Sequence, residues 1–453
     1  MRLLSIVGAM SQINLLCISN GHGEDVIALR ILTALRQQAP DIQLSALPIS
    51  GTGSPYRNSN IDIIGTTQTL PSGGFLNRDP KQLARDVQGG LISLTRSQLA
   101  ALKTWRTQFL KSPTSNPHIL SVGDIVPLIF AHRTGLPYHF IGTAKSEYWI
   151  RSEQGQKKAS VPSKSSSLFS KLEGWSGSVY LPWERWLMTR PNCNSVFVRD
   201  ALTAQQLEKI GIPAQHEGNP MMDSLTPAGT LDPILTPLRT QTQNILTIAL
   251  LPGSRPPEAY ANWARILQTI PSLAAALPDH LIVLLGAIAP TLTLEKLPFP
   301  LALDNSPWTQ VTLPLSFSTN SPDPTCLAYS CQNITLIPIQ GAYKDCLHEA
   351  NIAIATAGTA TEQFVGLGKP ALTLPGPGPQ FTQTFATTQA KMLGPSIQIL
   401  GNPKEAGSAI ARLITNPERL QTIRTNGKQR MGDPGAAQRI AQKLLETMNT
   451  KEQ

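Results

Sequence analysis

Short apolar runs of strand length alternate with helix-compatible sequence in both halves of this chain. Helices between strands act as crossovers that keep the strands parallel, so each half should form a parallel sheet covered on both faces. Ligands of such sheets bind beyond the carboxyl ends of the strands. The predicted strands are Ile13–Ser19, Leu44–Ile49, Ile61–Gly65, His118–Val122, Tyr138–Gly142, Ser195–Val198, Ile245–Leu251, Leu281–Gly286, Ile334–Ile339, Ile352–Thr356, Ala371–Leu374 and Ile397–Leu400.

A stretch rich in proline and threonine separates the two halves and is predicted to be a linker, residues 226–242. The 453 residues suffice for two domains of ~100–200 residues each. We therefore predict an α/β protein with two Rossmann-like, doubly wound parallel-sheet domains facing a cleft, residues 11–225 and 243–424. Residues 425–453 are predicted to form a C-terminal helix that packs back on the first domain or stands apart. A single large domain with an insertion is the competing architecture.

The charge balance narrows the classes of partner. A formal net charge of +9 and a pI near 9.4 favour phosphates, acidic lipid surfaces or nucleic acid. We do not expect nucleic acid, because no known nucleic-acid module appears and the charge is not concentrated in a tail. No apolar run reaches the ~20 residues that span a bilayer. The five cysteines lack C-x-x-C spacing, which predicts a cytoplasmic protein without zinc.

Two turns in the second half are typical of anion sites. The strand ending near Ala355 runs into Ala357-Gly358-Thr359-Ala360-Thr361 and then into a helix. The helix start supplies unpaired N–H groups and a partial positive charge, and Gly358 allows close approach of a ligand. A second turn, Leu251-Pro252-Gly253-Ser254-Arg255, follows another strand. Two such turns in one α/β domain indicate a diphosphate-bearing ligand.

A loop rich in proline and glycine, residues 375–383, follows the next strand of the same sheet. Its two glutamines, Gln380 and Gln383, can hydrogen-bond hydroxyl groups, so the loop is predicted to contact a sugar. A rigid turn without a ligand is the alternative.

The first predicted strand ends in Ser19-Asn20-Gly21-His22-Gly23-Glu24-Asp25. The unperturbed pKa of histidine lies near neutrality, so His22 could act as a base or bind a substrate hydroxyl. Capping of the following helix is the alternative role for this cluster. Asp124 ends a second strand of this half; it is the candidate for proton abstraction from a sugar hydroxyl, or else an Asx-turn cap.

Tryptophans lie on both sides of a lysine-rich run in the segment from Trp149 to Trp186. Trp175, Trp183 and Trp186 beside the basic run Lys157–Lys171 indicate a membrane-surface patch. A mobile basic loop followed by a helix with buried tryptophans fits the same pattern.

Four motifs, taken in order, resemble a known family: Ser19–Asp25, Gly218-Asn219-Pro220-Met221-Met222-Asp223, Leu251–Arg255, and Ala357-Gly358-Thr359-Ala360-Thr361-Glu362-Gln363. The chain resembles the GT-B glycosyltransferases, and most closely the lipid-A-disaccharide synthases and their related proteins. The chain departs from that family in three places. Gln363 stands where the synthases have a ribose-binding Glu, with Glu362 one residue early, and Asn219 replaces a His. The sequence around Asp124 matches the acidic strand end of the synthases only with a one-residue shift.

The resemblance implies an inverting, metal-independent hexosyltransferase. A UDP-sugar would be the donor substrate, with no cofactor and no metal. A lipid-like acceptor would bind the first half at the inner face of a membrane. The implied catalytic residues are His22 and Asp124. The implied donor residues are Gly253, Ser254, Arg255, Gly358, Thr359, Ala360, Thr361, Glu362, Gln363, Gln380 and Gln383. The implied acceptor residues are Gly21, Gly23, Glu24 and Asn219.

Two other functions share this fold and donor site. One is an isomerase resembling UDP-GlcNAc 2-epimerase. The other is a binding protein that keeps the nucleotide site without catalysis. The tryptophan- and lysine-containing segment favours the transferase, because an epimerase does not need a membrane face.

Overall fold

The computed structural model describes residues 12–21, 23–69, 87–112, 114–152, 156, 176–298, 307–314, 325–376, 378 and 380–449. The chain divides into two compact units, residues 1–223 with 433–453 and residues 224–432. Each unit is an α/β domain built around its own sheet, as the alternating sequence pattern predicts.

The described strands of the first unit form one parallel sheet, ordered β3-β2-β1-β4-β5-β6-β7. Their inner residues are buried on both faces, which explains why they read as continuous apolar runs. The strands are β1 (Gln12–Ser19), β2 (Gln43–Pro48), β3 (Asp62–Ile63), β4 (Ser115–Gly123), β5 (Tyr138–Gly142), β6 (Cys193–Val198) and β7 (Ala214–Gln215).

Helices cover both faces of this sheet. On one face, α1 and the C-terminal helix α15 share a core that includes Ile31, Tyr56 and Leu444. On the other face, α3 to α6 share a core that includes Trp105 and Leu128. The helices are α1 (Gly23–Gln38), α2 (Ser54–Arg57), α3 (Leu91–Leu110), α4 (Ile125–Arg133), α5 (Pro182–Met188), α6 (Ala201–Glu208) and α15 (Ala436–Asn449).

The described strands of the second unit are ordered β10-β11-β12-β9-β8-β13-β14-β15. The sheet is parallel from β12 to β15, whereas β10 and β11 join it as antiparallel strands. The strands are β8 (Ile245–Leu251), β9 (Leu281–Ala287), β10 (Thr309–Pro314), β11 (Thr325–Cys331), β12 (Ile334–Ile339), β13 (Ile352–Ala355), β14 (Ala371–Thr373) and β15 (Ile397–Ile399).

The core of the second unit lies between this sheet and helices that include α8, α9 and α13, where Trp263 is fully buried. The helices are α7 (Asp232–Gln241), α8 (Glu258–Leu267), α9 (Ile270–Ala276), α10 (Tyr343–Glu349), α11 (Thr359–Gly366), α12 (Gln383–Leu393), α13 (Ala406–Ile414) and α14 (Pro417–Met431). Short 3₁₀ turns lie at Glu147–Trp149, Pro220–Met222, Leu294–Lys296, Gly394–Ser396 and Pro403–Glu405.

The boundaries differ from the sequence prediction in two places. The predicted linker, residues 226–242, contains helix α7 and belongs to the second unit. It is fixed there by Asp345, whose carboxylate accepts hydrogen bonds from the N–H groups of Ala228 and Thr230, both 3.0 Å. The second unit also extends past residue 424 to include all of α14, so only α15 of the C-terminal stretch lies on the first unit.

Candidate functional site

The turn between β1 and α1 depends on Gly21. Its φ is +115°, and a Cβ there would lie 2.3 Å from the carbonyl oxygen of Ser50, just after β2. Gly23 lies in open space, since a Cβ at that position would have no described neighbour within 4 Å. Of the two glycines predicted to bind acceptor, Gly21 is therefore needed to bring the ends of β1 and β2 together.

Asp25 is tied into a buried hydrogen-bonded chain beneath this turn. Ser19 Oγ donates to Asp25 Oδ1 at 2.6 Å, so the hydroxyl of Tyr56, also 2.6 Å from Ser19 Oγ, is the donor to Ser19. Burial raises the pKa of Tyr56 well above its usual value and keeps it neutral. Asp25 is only 1% exposed, so its role is to anchor the turn.

Glu24 stands beside this network and has an unusual environment. Its side chain is half-buried, at the start of α1. Burial, with smaller contributions from the negative charges of Asp124 and Asp25, raises its pKa from 4.5 to about 7, although its backbone N–H and the Thr143 hydroxyl oppose the shift. A carboxyl group with a pKa near neutrality can take a proton from a hydroxyl and release it again. His22, the other candidate in this turn, lies outside the described residues.

Asp124 follows β4, the strand that pairs with β1. It is the N-cap of α4, where Oδ1 accepts a 2.9 Å hydrogen bond from the N–H of Val126. Gly123 lets the two strand ends approach, because a Cβ there would lie 2.9 Å from Cγ of Asn20. Asp124 therefore does cap its helix, and its charge also reaches Glu24.

Three buried polar side-chain atoms around these strand ends lack a hydrogen-bond partner among the described residues. They are Asn20 Oδ1, Ser50 Oγ and Ser121 Oγ. Most buried polar atoms in folded proteins are paired with protein or ordered water. Unpaired groups gathered at the carboxyl ends of parallel strands are typical of a site that binds water or a polar ligand.

Asn219 lies in a structural turn. Its Oδ1 accepts a 3.0 Å hydrogen bond from the N–H of Met221, and the residue is 5% exposed. Asp223, at the end of the same motif, caps α15 by accepting hydrogen bonds from the N–H groups of Gly435, Ala436 and Ala437 at 2.6, 3.1 and 2.8 Å. In this unit the motif fastens the C-terminal helix.

The N-terminus of α11 in the second unit is the predicted anion turn. Gly358 is its N-cap and makes no side-chain capping bond, so the first N–H groups, from Thr359 and Ala360 onward, are without intrahelical partners. Thr359 is exposed. Thr361 differs from the prediction, because its buried hydroxyl already donates to the carbonyl of Ala357 at 2.5 Å.

The Gly253–Arg255 turn lies against the same helix start. Asn262 in α8 donates from Nδ2 to the carbonyl of Pro252 at 3.1 Å and to that of Thr356 at 3.4 Å. It thereby holds the β8–α8 turn and the β13–α11 turn together. Gly253 adopts φ +95°, Ser254 is exposed, and Arg255 is half-buried.

A third loop, after β14, is held beside these two by Glu258. Its carboxylate accepts hydrogen bonds from the N–H groups of Phe381 at 2.7 Å and Gln380 at 3.2 Å. A Cβ at Gly378 would lie 2.4 Å from Glu258 Oε1. The two glutamines predicted to contact sugar, Gln380 and Gln383, are both exposed.

Glu362 and Gln363, the predicted donor residues inside α11, are largely buried, with 9% and 5% of their surface exposed. Gln363 Oε1 accepts a 2.6 Å hydrogen bond from the hydroxyl of Tyr343 in α10. Among the described residues, no group of His, Cys, Asp and Glu side chains could hold a metal ion. No described helix is long and apolar enough to cross a membrane.

Two residues of this site, Glu258 and Asn262, have no predicted role. Glu258 follows the Gly253–Arg255 turn after two prolines, and Asn262 lies one helical turn later. Their position gave a signal, since side chains in the first turns of a helix face the preceding strand end. The partners that tie these residues to the other two loops, Thr356 for Asn262 and Phe381 for Glu258, lie 94 and 123 residues away along the chain, so these contacts could not be predicted.

Comparison with known proteins shows the fold and no closer relationship. No protein-family model and no curated protein matches the chain. Among solved structures, the calicheamicin glycosyltransferase CalG4 matches at 13% identity and TM-score 0.56, covering 98% of this chain and all of the other. A putative UDP-N-acetylglucosamine 2-epimerase from Listeria monocytogenes matches at 13% identity and TM-score 0.54, covering 98% of each chain.

MurG from Acinetobacter baumannii matches at 15% identity and TM-score 0.52, covering 96% of this chain and 99% of the other. These similarities extend over nearly the whole chain, and they confirm the predicted GT-B fold class with two parallel-sheet α/β domains. They include glycosyltransferases and epimerases alike, so the fold does not choose between these activities.

Proposed function

We propose that this protein is an inverting glycosyltransferase that moves a hexose from a UDP-sugar to a lipid-like acceptor. The observation that carries the proposal is the assembly in the second unit. Three loops meet at the start of α11, held there by Asn262 and Glu258. Unpaired N–H groups at a helix start are suited to bind a diphosphate.

In this proposal the N–H groups of Gly358, Thr359 and Ala360 bind the diphosphate. The backbone of Gly253 and Ser254 contacts the diphosphate, and Arg255 offsets the negative charge of the diphosphate. Gln380 and Gln383, exposed on the third loop, hydrogen-bond the hydroxyls of the donor sugar. The helix start and Arg255 stabilise the leaving UDP, so no metal ion is required.

The acceptor would bind at the ends of β1 and β4 in the first unit. A carboxylate takes the proton of the acceptor hydroxyl. At the same time the hydroxyl oxygen of the acceptor attacks the anomeric carbon of the donor sugar, and the bond between that carbon and UDP breaks. Single displacement inverts the anomeric configuration. Glu24 has a pKa of about 7, which suits proton transfer, and Asp124 is held in place as a helix cap. We therefore assign proton transfer to this carboxylate pair, with His22 as a further candidate.

The acceptor's lipid-like character follows from the family resemblance and from the exposed tryptophans. Trp183 and Trp186 are 47% and 49% exposed, unlike tryptophans of a protein core. Trp175 and Lys157–Lys171 lie outside the described residues. We propose peripheral attachment at the cytoplasmic face of a membrane.

An epimerase is the second candidate, because structures named as UDP-N-acetylglucosamine 2-epimerases share this fold over nearly the full chain length. It uses the same kind of donor site but needs no acceptor. Incubation with UDP-GlcNAc alone therefore separates the two: an epimerase changes the sugar, whereas a transferase without acceptor leaves it intact.

Thermal shift with UDP, GDP, UDP-GlcNAc, UDP-Glc and UDP-Gal tests the donor site. A ligand of the folded state raises the melting temperature by mass action. Arg255→Ala should reduce the UDP response, whereas the exposed Lys404→Ala, which removes the same charge from the same unit, should not. No shift with any UDP compound would contradict both enzyme proposals.

A further inference from the structure

Helices α3, α4 and α5 form one layer on the sheet of the first unit. Each lies between strands that step in the same direction across the sheet, and right-handed crossovers place such helices on one face. Their inner residues, among them Trp105, Leu128 and Leu187, belong to one core cluster. Trp186 in α5 packs edge-on against His132 in α4, with ring centres 5.3 Å apart.

The outer side of these three helices carries positive charge and no accessible carboxylate. The only acidic residue within them is Glu184, which is 2% exposed and lies 2.6 Å from Lys145 Nζ. The exposed cations of the layer are Arg96, Lys103, Arg106, Lys111 and Arg133.

None of these five cations forms an ion pair with a described residue. Two exposed cations elsewhere do: Arg239 pairs with Glu349 at 2.6 Å, and Lys443 pairs with Glu217 at 2.6 Å. Within the described part of the chain, no ion pair offsets the positive charge of this layer, which favours an anionic partner.

Large apolar side chains are exposed on the same layer. Five of the ten exposed large apolar residues of the described chain belong to α3, α4 or α5, namely Ile92, Leu110, Ile129, Trp183 and Trp186. The guanidinium of Arg190 lies 4.1 Å from the ring centre of Trp186. Tryptophans beside cations are the combination that settles at the headgroup level of a bilayer.

We propose that the α3–α4–α5 layer is the docking face for an anionic lipid bilayer. The charge attracts acidic headgroups, and the exposed Trp and Ile side chains enter the interface. Nucleic acid would use the cations but has no matching need for exposed aliphatic residues. This inference names the surface behind the proposed membrane attachment and does not depend on the donor chemistry.

The docking face also adjoins the candidate acceptor site. Helix α4 begins directly after Asp124 and carries Ile129 and Arg133 on the exposed layer. Its nine residues span only ~13 Å at 1.5 Å per residue. To reach Asp124, an acceptor headgroup at the bilayer surface would therefore need to move away from the bilayer by about the length of this helix. Only this link between the docking face and the acceptor site rests on the proposed function.

The test is flotation of the full chain with phosphatidylcholine vesicles with and without phosphatidylglycerol, at low and high salt. Binding should require phosphatidylglycerol and fade at high salt, which screens the cations. Lys103→Glu with Arg133→Glu should weaken binding at least ~25-fold, since each cation removed near an anionic surface costs about fivefold. The matched control is Lys404→Glu with Lys428→Glu, which changes the net charge equally but lies in the second unit.

Tryptophan quenching by lipids with brominated acyl chains gives a second readout. It should be seen with wild type and lost in Trp183→Phe with Trp186→Phe. Failure to float, equal weakening in the control pair, or binding to short RNA in place of vesicles would each overturn the docking face. The UDP thermal shift is measured without lipid, so failure of the docking face leaves the donor-site proposal standing.

Discussion

The carboxylate of Glu258, in the first turn of α8, accepts a 2.7 Å hydrogen bond from the backbone N–H of Phe381, 123 residues later. This contact joins two loops of the candidate donor site that come from different strands. Glu258 is 9% exposed, and hydrogen bonds to a shielded carboxylate are stronger than those between neutral groups.

Glu258→Ala should therefore release the loop that carries Gln380 and Gln383. Two backbone N–H groups lose their acceptor, which should lower the free energy of unfolding by about 1–3 kcal/mol and weaken UDP-sugar binding. Urea unfolding and isothermal titration calorimetry measure the two effects. Glu295→Ala, an exposed carboxylate of the same unit, is the control. Wild-type affinity in Glu258→Ala would show that the loop does not contact the ligand.

The two glycines around His22 should respond in opposite ways to alanine. Gly21→Ala places a Cβ 2.3 Å from a backbone oxygen at φ +115°, so the turn must shift and stability should fall by about 1–3 kcal/mol. Gly23→Ala adds a methyl group in open space at the first position of α1, where alanine favours the helix. Thermal unfolding distinguishes them, and equal losses would contradict this description of the turn.

Periodic patterns predicted the fold more completely than the site. The strands from Ile13–Ser19 to Ile397–Leu400 could be predicted because buried parallel strands must be apolar along their length. Strands β7, β10 and β11 were not predicted: β7 has only two residues, and β10 and β11 form the antiparallel end of the second sheet, outside the pattern of strands alternating with helices. The linker prediction was wrong because the prolines of residues 226–242 do not exclude a helix: α7 has one proline in its first turn, where proline is tolerated, and contains a second, Pro237, in its interior.

At the site, the turns that end strands could be predicted from local sequence, as with Gly21 and Gly358. The roles within them could not, because they depend on contacts distant in sequence. Asp25 looked as available as Glu24, yet Tyr56 and Ser19 hold Asp25 in the interior and leave Glu24 with the raised pKa.

Asp223 should matter for stability rather than for substrate binding. It accepts hydrogen bonds from three N–H groups at the start of α15, and loss of such a cap costs about 0.5–2 kcal/mol. Asp223→Ala should thus lower the melting temperature of the first unit without changing UDP binding. Asp41→Ala, an exposed aspartate of that unit, is the control. A stable Asp223→Ala variant that has lost activity would instead indicate a direct role in the reaction.

Glu24→Gln should stabilise the protein, but only at higher pH. The folded-state pKa of about 7 exceeds the usual 4.5, so the folded protein retains a proton that the unfolded chain releases between these values. Stability conferred by the protonated group is present below pH 4.5 and is lost as pH rises to 7. The free energy of unfolding of the variant should exceed that of wild type by about 1–2 kcal/mol above pH 7 and equal it below pH 4.5. Glu208→Gln, exposed in the same unit, should show no such trend.

The pH dependence of turnover can tell which carboxylate of the pair takes the proton. If Glu24 is the base, kcat/KM should rise with pH through about 7, where Glu24 loses its own proton, and Glu24→Gln should reduce it ~10²–10⁴-fold. Asp124→Asn preserves a capping side chain at α4 but removes a negative charge that raises the pKa of Glu24. Asp124→Asn should therefore remain active, and its kcat/KM should rise at a lower pH than that of wild type. An Asp124→Asn variant that binds UDP normally yet is as inactive as Glu24→Gln would transfer the role of base to Asp124.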